Sequence, residues 1–160
     1  ALALALALAL AMALALAWAE RALWLSNPNP RVGCIITTTD GEVIGQGHTQ
    51  AAGQAHAEVM ALRDAESRGH SVRGATAYVT LEPCAMCAGT QYWAHIGRLV
   101  YGMSERRLLE LTGNHAENPT LDLPCREVFA CGQKALQVWG PVPEVEDEIA
   151  ALHRRFWHTR

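Results

Sequence analysis

Basic charge is scarce in this chain. Thirteen lysines and arginines stand against sixteen aspartates and glutamates, a formal charge of -3. A nucleic-acid-binding domain normally carries a clear basic excess. The one basic cluster here is terminal (His153, Arg154, Arg155, His158, Arg160) and reads as a solvated helix end. Charge of either sign is thin at 18% of residues, and half the residues are hydrophobic, which excludes a disordered chain. Cysteine is sparse and odd in number, five in all, so a disulfide framework is a poor reading. No basic residue precedes the apolar N-terminal run, so it does not read as a secretory signal, and the expected compartment is the cytoplasm. No repeat or linker divides the 160 residues, enough for one domain with its own core.

Residues 1–17 are nearly pure Ala-Leu alternation. Period-two spacing favours a strand, but alanine and leucine are the best helix formers, so a helix is expected that continues through Trp18, Ala22 and Leu25. The run falls just short of a membrane span, and no membrane partner is expected. It is set apart as a low-complexity segment, helical or an artefact in its first eleven residues, with 18–160 as the functional domain.

Beyond the Asn27-Pro28-Asn29-Pro30 stop, β-branched residues predict a strand over 32–38, a turn at Asp40-Gly41 and a returning strand over 42–47. A helix is expected over 55–68, a strand over 75–81, a helix from Pro83 to Ala94, a short strand over 99–101 and a helix capped by Ser104. The Gly-, Asn- and Pro-rich stretch 112–124 reads as a long loop, either near the site or reaching a partner. A fifth strand over 135–139 and an amphipathic helix over 144–157, with Val145, Ile149, Leu152 and Phe156 as its apolar stripe, complete the chain.

Chemistry concentrates in two stretches, His56-Ala57-Glu58 and Pro83-Cys84-Ala85-Met86-Cys87. Cys84 and Cys87 are one helical turn apart, and with His56 they supply one nitrogen and two sulfur ligands, a catalytic zinc set with an open fourth position. One zinc ion per chain is the expected cofactor. Both motifs are expected to follow strands directly, with those strands adjacent so that the two helix starts meet. Glu58 lies about 200° round the helix from His56, beside the metal and not on it, where a carboxylate can move protons for a hydrolysis. Cys34, Cys125 and Cys131 read as plain buried thiols.

His-x-Glu followed by Pro-Cys-x-x-Cys resembles the signature of the cytidine deaminase-like superfamily of zinc-dependent nucleobase deaminases. The resemblance runs from about residue 20 to the last helix. It implies an α/β, three-layer α-β-α sandwich with a mixed five-stranded sheet, and hydrolytic removal of an exocyclic amine as ammonia. It also implies zinc on His56, Cys84 and Cys87, Glu58 as the catalytic proton carrier, the Ala57 backbone N–H against a ring atom, and a homodimer. Stretches 28–34, 52–59 and 74–84 resemble the riboflavin-pathway pyrimidine deaminase, where the asparagine matching Asn29 contacts substrate. The short Cys84–Cys87 spacing, and His48-Thr49 where that branch has other residues, depart from it. Tyr92-Trp93-Ala94 resembles guanine deaminases and Ile96-Gly97-Arg98 tRNA adenosine deaminases.

The expected substrate is a free nucleobase or nucleoside of the cytosine, guanine or adenine type. The riboflavin-pathway pyrimidine and tRNA stand as alternatives. Asn29, His48, Ala57 and Trp93 are the candidate substrate contacts, Trp93 by stacking on a base. A non-enzymatic reading, a closed structural zinc, requires a fourth ligand from His48, His95 or Cys125.

Overall fold

The computed structural model describes residues 2–113 and 115–157, apart from the Phe156 side chain. His158 and Arg160 of the terminal basic cluster, and the Phe156 side chain of the expected stripe, therefore lie outside the described residues.

The predicted hairpin forms β1 (Gly33–Thr37) and β2 (Val43–His48), antiparallel partners that turn at Asp40-Gly41. On its other side β1 pairs antiparallel with β3 (Thr76–Leu81). Parallel pairing then adds β4 (Arg98–Met103) and the three-residue β5 (Gln137–Trp139), giving the order β2-β1-β3-β4-β5. The central strands β1 and β3 are buried throughout, which explains their unbroken apolar and β-branched runs.

Strand alternation divides the sheet into two faces. Cys34, Ile36, Ala77, Val79, Leu99 and Tyr101 join the larger core with α2 (Ala57–Ser67) and α3 (Ala85–Trp93), while Ile35, Tyr78 and Val100 join Ala11, Met12 and Ala15 of α1 (Leu2–Glu20). The terminal helix α6 (Pro143–Trp157) packs on β4, and Ile149 approaches Gly102. These layers form the expected three-layer α-β-α sandwich with a mixed five-stranded sheet. Close approach is bought with small residues: a Cβ on Gly33 would sit 1.8 Å from the Ala15 carbonyl oxygen of α1, and one on Gly45 would sit 2.4 Å from that of Ala61 in α2.

Several expectations change. α1 is helical, as propensity favoured, and crosses residue 17 without a break; Ala11, Met12, Ala15 and Ala19 are buried on it, whereas Leu2 and Leu10 are exposed. It stops at Glu20, and the chain continues to Leu25 in short turns such as Ala22 N–H to the Ala19 carbonyl. At 19 residues the helix has the length and apolarity to cross a membrane, and within this fold one face of it packs on the sheet.

α4 (Glu105–Thr112) starts at Ser104, whose hydroxyl accepts from the Arg107 N–H as the capping reading required. α5 (Cys125–Ala130), absent from the sequence reading, has only six residues, too few for a periodic signal. The strands preceding the two motifs are not neighbours, because β1 lies between β2 and β3, and eight residues separate β2 from α2. His153 is no solvated helix end. It is completely buried, accepting the Arg31 backbone N–H at 3.2 Å on Nε2, and burial lowers its pKa to about 4.

Candidate active site

α2 and α3 begin at two residues that cap nothing with their side chains. His56 is the N-cap of α2 and Cys84 the N-cap of α3, both with extended backbone. An N-cap side chain ordinarily accepts an N–H from its own first turn. Here both turn toward each other and toward Cys87, one turn into α3. His56 Nδ1 lies 3.7 Å from Cys84 Sγ and 3.5 Å from Cys87 Sγ, and the three donor atoms all fall within 4.8 Å of one another.

This donor set fits zinc. A tetrahedral ion with about 2.3 Å to sulfur and about 2.05 Å to nitrogen holds those ligands about 3.6 Å apart, the separation found here. Electrostatics prepare the same site. The Cys84 thiol is shifted down, chiefly by its pairing with Cys87 and further by His56. His56 is shifted up, first by its hydrogen bond with Cys84. Cys87 is shifted up by the same pairing with Cys84 and by burial, and a bound metal would hold both sulfurs as thiolates.

Glu58, in the first turn of α2, is 4% exposed and lies beside the donor set without joining it. Burial raises its carboxyl pKa to about 7, against a lowering hydrogen bond from its own backbone N–H. It opens with His56 and Cys84 onto a cleft of about 190 Å³. Asn29, Thr49, Glu82 and Glu105 line that cleft, as do residues 118–121. The long loop thus borders the cleft of its own chain.

Glu82, at the end of β3, organises the far wall. One carboxylate oxygen accepts the Glu105 N–H at 3.2 Å and the other the Cys125 N–H at 2.8 Å, so it anchors the starts of α4 and α5. The Glu105 carboxyl is pushed up to about 7, chiefly by burial and then by the Cys84 thiolate.

Of the expected residues, the structure brings together His56, Glu58, Cys84 and Cys87, with Asn29 on the cleft wall and Ala57 buried at the start of α2. His48 is not there. Its ring stacks on Trp18 of α1 at 5.8 Å, and Thr49 faces the cleft in its place, because consecutive residues at a strand end point to opposite faces. Trp93 is 75% exposed at the far end of α3, about 14 Å along the helix from Cys84 at 1.5 Å per residue, and does not line the cleft.

His48, His95 and Cys125 add no fourth ligand: among the described residues the donor group stops at three. Cys131 is exposed, contrary to the buried reading, since it falls just past the end of α5. Sequence reasoning missed Glu82 and Glu105 as site residues. Their signal was positional, since each lies at or just beyond the C-terminal end of a parallel strand, where α/β sheets place their clefts.

Comparison with known proteins gives a consistent answer. Residues 7–103 match the cytidine and deoxycytidylate deaminase zinc-binding region. The chain is 32% identical over 128 residues to the probable cytosine deaminase of Schizosaccharomyces pombe, covering 78% of each. It is 46% identical over 93 residues to riboflavin biosynthesis protein RibD of Escherichia coli, covering 54% of this chain and 24% of that one. The fold superposes with a TM-score of 0.75 and 26% identity on the Thermotoga maritima diaminohydroxyphosphoribosylaminopyrimidine deaminase/5-amino-6-(5-phosphoribosylamino)uracil reductase, covering 96% of this chain and 42% of that one.

Proposed function

Since this chain belongs to the cytidine and deoxycytidylate deaminase family and is a zinc-dependent hydrolytic deaminase of the nucleobase and nucleoside class, we propose that its substrate is a small, unphosphorylated base or nucleoside. The observation that carries this is the cleft itself. At about 190 Å³ it is smaller than the roughly 300–1,000 Å³ typical of drug-sized ligands. Three carboxylates, Glu58, Glu82 and Glu105, line it, and among the described residues no lysine or arginine does. A phosphate group would meet carboxylates there and, among the described residues, no lysine or arginine to pair with. The ribose-phosphate substrate of the riboflavin pathway and a tRNA stem are therefore disfavoured.

In this reading His56, Cys84 and Cys87 hold the zinc. Bound zinc supplies the Lewis acidity that makes a water molecule nucleophilic near neutral pH. Glu58 would take one proton from that water and deliver it to the ring nitrogen beside the reacting carbon, then take the second from the hydroxyl now on that carbon and pass it to the departing amine. Water and the C–NH₂ group become a carbonyl and ammonia. A carboxyl with its pKa near 7 suits a group that must both accept and release a proton at neutral pH. The Ala57 N–H, at the start of α2, and the Asn29 side chain orient the ring.

We further propose a homodimer in a reducing, cytoplasmic setting. Met86 and Trp93, seven residues apart on one face of α3 and 57% and 75% exposed, form an apolar surface that a second copy would cover. Free thiols at all five cysteines agree with a reducing compartment. Sedimentation equilibrium of the native chain and of Trp93→Asp tests the dimer, which the substitution is expected to dissociate.

The substrate reading is tested by ammonia release from cytosine, guanine, adenine, their nucleosides, the riboflavin-pathway pyrimidine and a tRNA anticodon stem. Turnover of a base or nucleoside at least tenfold above the phosphorylated substrates supports it. Activity confined to the phosphorylated pyrimidine or the tRNA overturns it.

A further inference from the structure

Glu105 is the cleft residue whose bonding is unfinished. β3 and β4 run parallel with Leu81 opposite Met103, so Glu82-Pro83-Cys84 and Ser104-Glu105 leave the sheet side by side. Two hydrogen bonds fix the backbone at that point: the Glu105 N–H donates to Glu82, and the Ser104 hydroxyl accepts from the Arg107 N–H. The side chain borders the same cleft as His56, Glu58 and Cys84, and its Oε2 is buried with no hydrogen-bond partner. Glu82, by contrast, is engaged by two backbone N–H groups. The neighbouring arginines are committed elsewhere, Arg106 to Asp122, and Arg107 to Glu146 and Asp147. A buried acceptor without a donor costs stability and is rare in folded proteins. A donor on a bound ligand would complete it.

We propose that Glu105 sets substrate specificity by accepting a hydrogen bond from the glycosidic ring nitrogen of a free nucleobase, N1–H of a pyrimidine or N9–H of a purine. The inference rests on the deaminase reading above. Once the reacting amine and its adjacent ring nitrogen face Glu58, that N–H is the remaining donor common to cytosine, adenine and guanine. In a nucleoside it is replaced by the sugar bond. A carboxylate in this place therefore selects free bases over nucleosides.

The test uses the zinc-loaded protein and its Glu105→Ala and Glu105→Gln variants. kcat/KM for ammonia release is measured on the best of cytosine, guanine and adenine, on that base methylated at the glycosidic nitrogen, and on its nucleoside. Loss of a hydrogen bond to a charged acceptor predicts a drop of about ten- to hundredfold in Glu105→Ala on the free base, with less than about twofold change on the methylated base and the nucleoside. Zinc content is expected to stay at one per chain in both variants. Calorimetric binding of the base in a Glu58→Gln background, with and without Glu105→Ala, gives the same discrimination without turnover.

An equal fall on free and methylated bases, or no fall on either, overturns the assignment. So does a wild-type protein that prefers nucleosides, which leaves the deaminase reading standing. Ammonia release from none of the bases or nucleosides would overturn the substrate reading on which the assignment rests and leave the deaminase class standing.

Discussion

His56 and Cys84 occupy the same position in two different helices. Each is the N-cap residue, each has extended backbone, and neither spends its side chain on capping, so the imidazole and thiol meet at 3.7 Å. The equivalence explains how ligands 28 residues apart come to share one ion. The positive ends of α2 and α3 converge there, which favours thiolate on Cys84 and negative charge on any bound nucleophile.

Removal of the Glu58 carboxylate should separate chemistry from metal binding. Glu58→Gln is expected to lower ammonia release by about 10²–10⁴-fold, the usual contribution of a positioned proton carrier. Zinc stoichiometry, read by atomic absorption, should stay unchanged because Glu58 lies outside the donor set. Near-native turnover in this variant would remove Glu58 from the mechanism.

Cys87→Ser should lower zinc content and thermal stability together. The ligands come from two separate helices, so the free energy of metal binding is also free energy of holding α2 against α3. Differential scanning calorimetry with and without a chelator reads this directly. Chelation should lower the Tm of the wild type and leave the variant nearly unaffected.

Packing of α1 depends on Gly33. A methyl group there would overlap the Ala15 carbonyl oxygen, and backbone cannot swing aside as a side chain can. Gly33→Ala should destabilise by about 1–3 kcal/mol, the usual range for overpacking a well-filled core. Urea denaturation measures it; an unchanged midpoint would mean that α1 does not seat on β1 in solution.

Acid should weaken the tie between α6 and the turn that carries Asn29. His153 is neutral in the fold, where its Nε2 must accept the Arg31 N–H, and burial lowers its pKa from 6.5 to about 4. Below pH 6.5 the unfolded chain takes up a proton that the folded chain refuses. The stability contribution is therefore complete above about pH 6.5 and is lost as the pH falls toward 4, by up to about 3 kcal/mol. Urea midpoints at pH 7.5 and 5 should diverge in the wild type, and His153→Gln should flatten that difference.

Much of this was legible one residue at a time. Ser104 announced a helix start, Asp40-Gly41 a hairpin, and the buried strands β1 and β3 were plain from their β-branched runs. α5 was illegible because six residues show no period. His153 misled because a histidine beside two arginines at a helix end looks solvated, while the helix face that meets Arg31 exists only once α6 has docked. His48 and Thr49 show the same limit at single-residue scale: adjacent in the chain, they face opposite sides of the strand end. The choice between them depends on a register that no local pattern sets.

The sequence by itself determined the reaction. His56, Glu58, Cys84 and Cys87 carry the ligand types and the proton carrier in fixed local spacings, and short-range geometry places the residues within each motif, while the meeting of α2 and α3 joins the two. Only the tertiary structure decided what surrounds them. β1 inserts between the strands that precede the two motifs, Thr49 displaces His48 from the cleft, and Glu82 and Glu105 arrive from the ends of two parallel strands. Those placements depend on pairing between distant segments, and long-range strand order and register are set by the packing of the whole sheet.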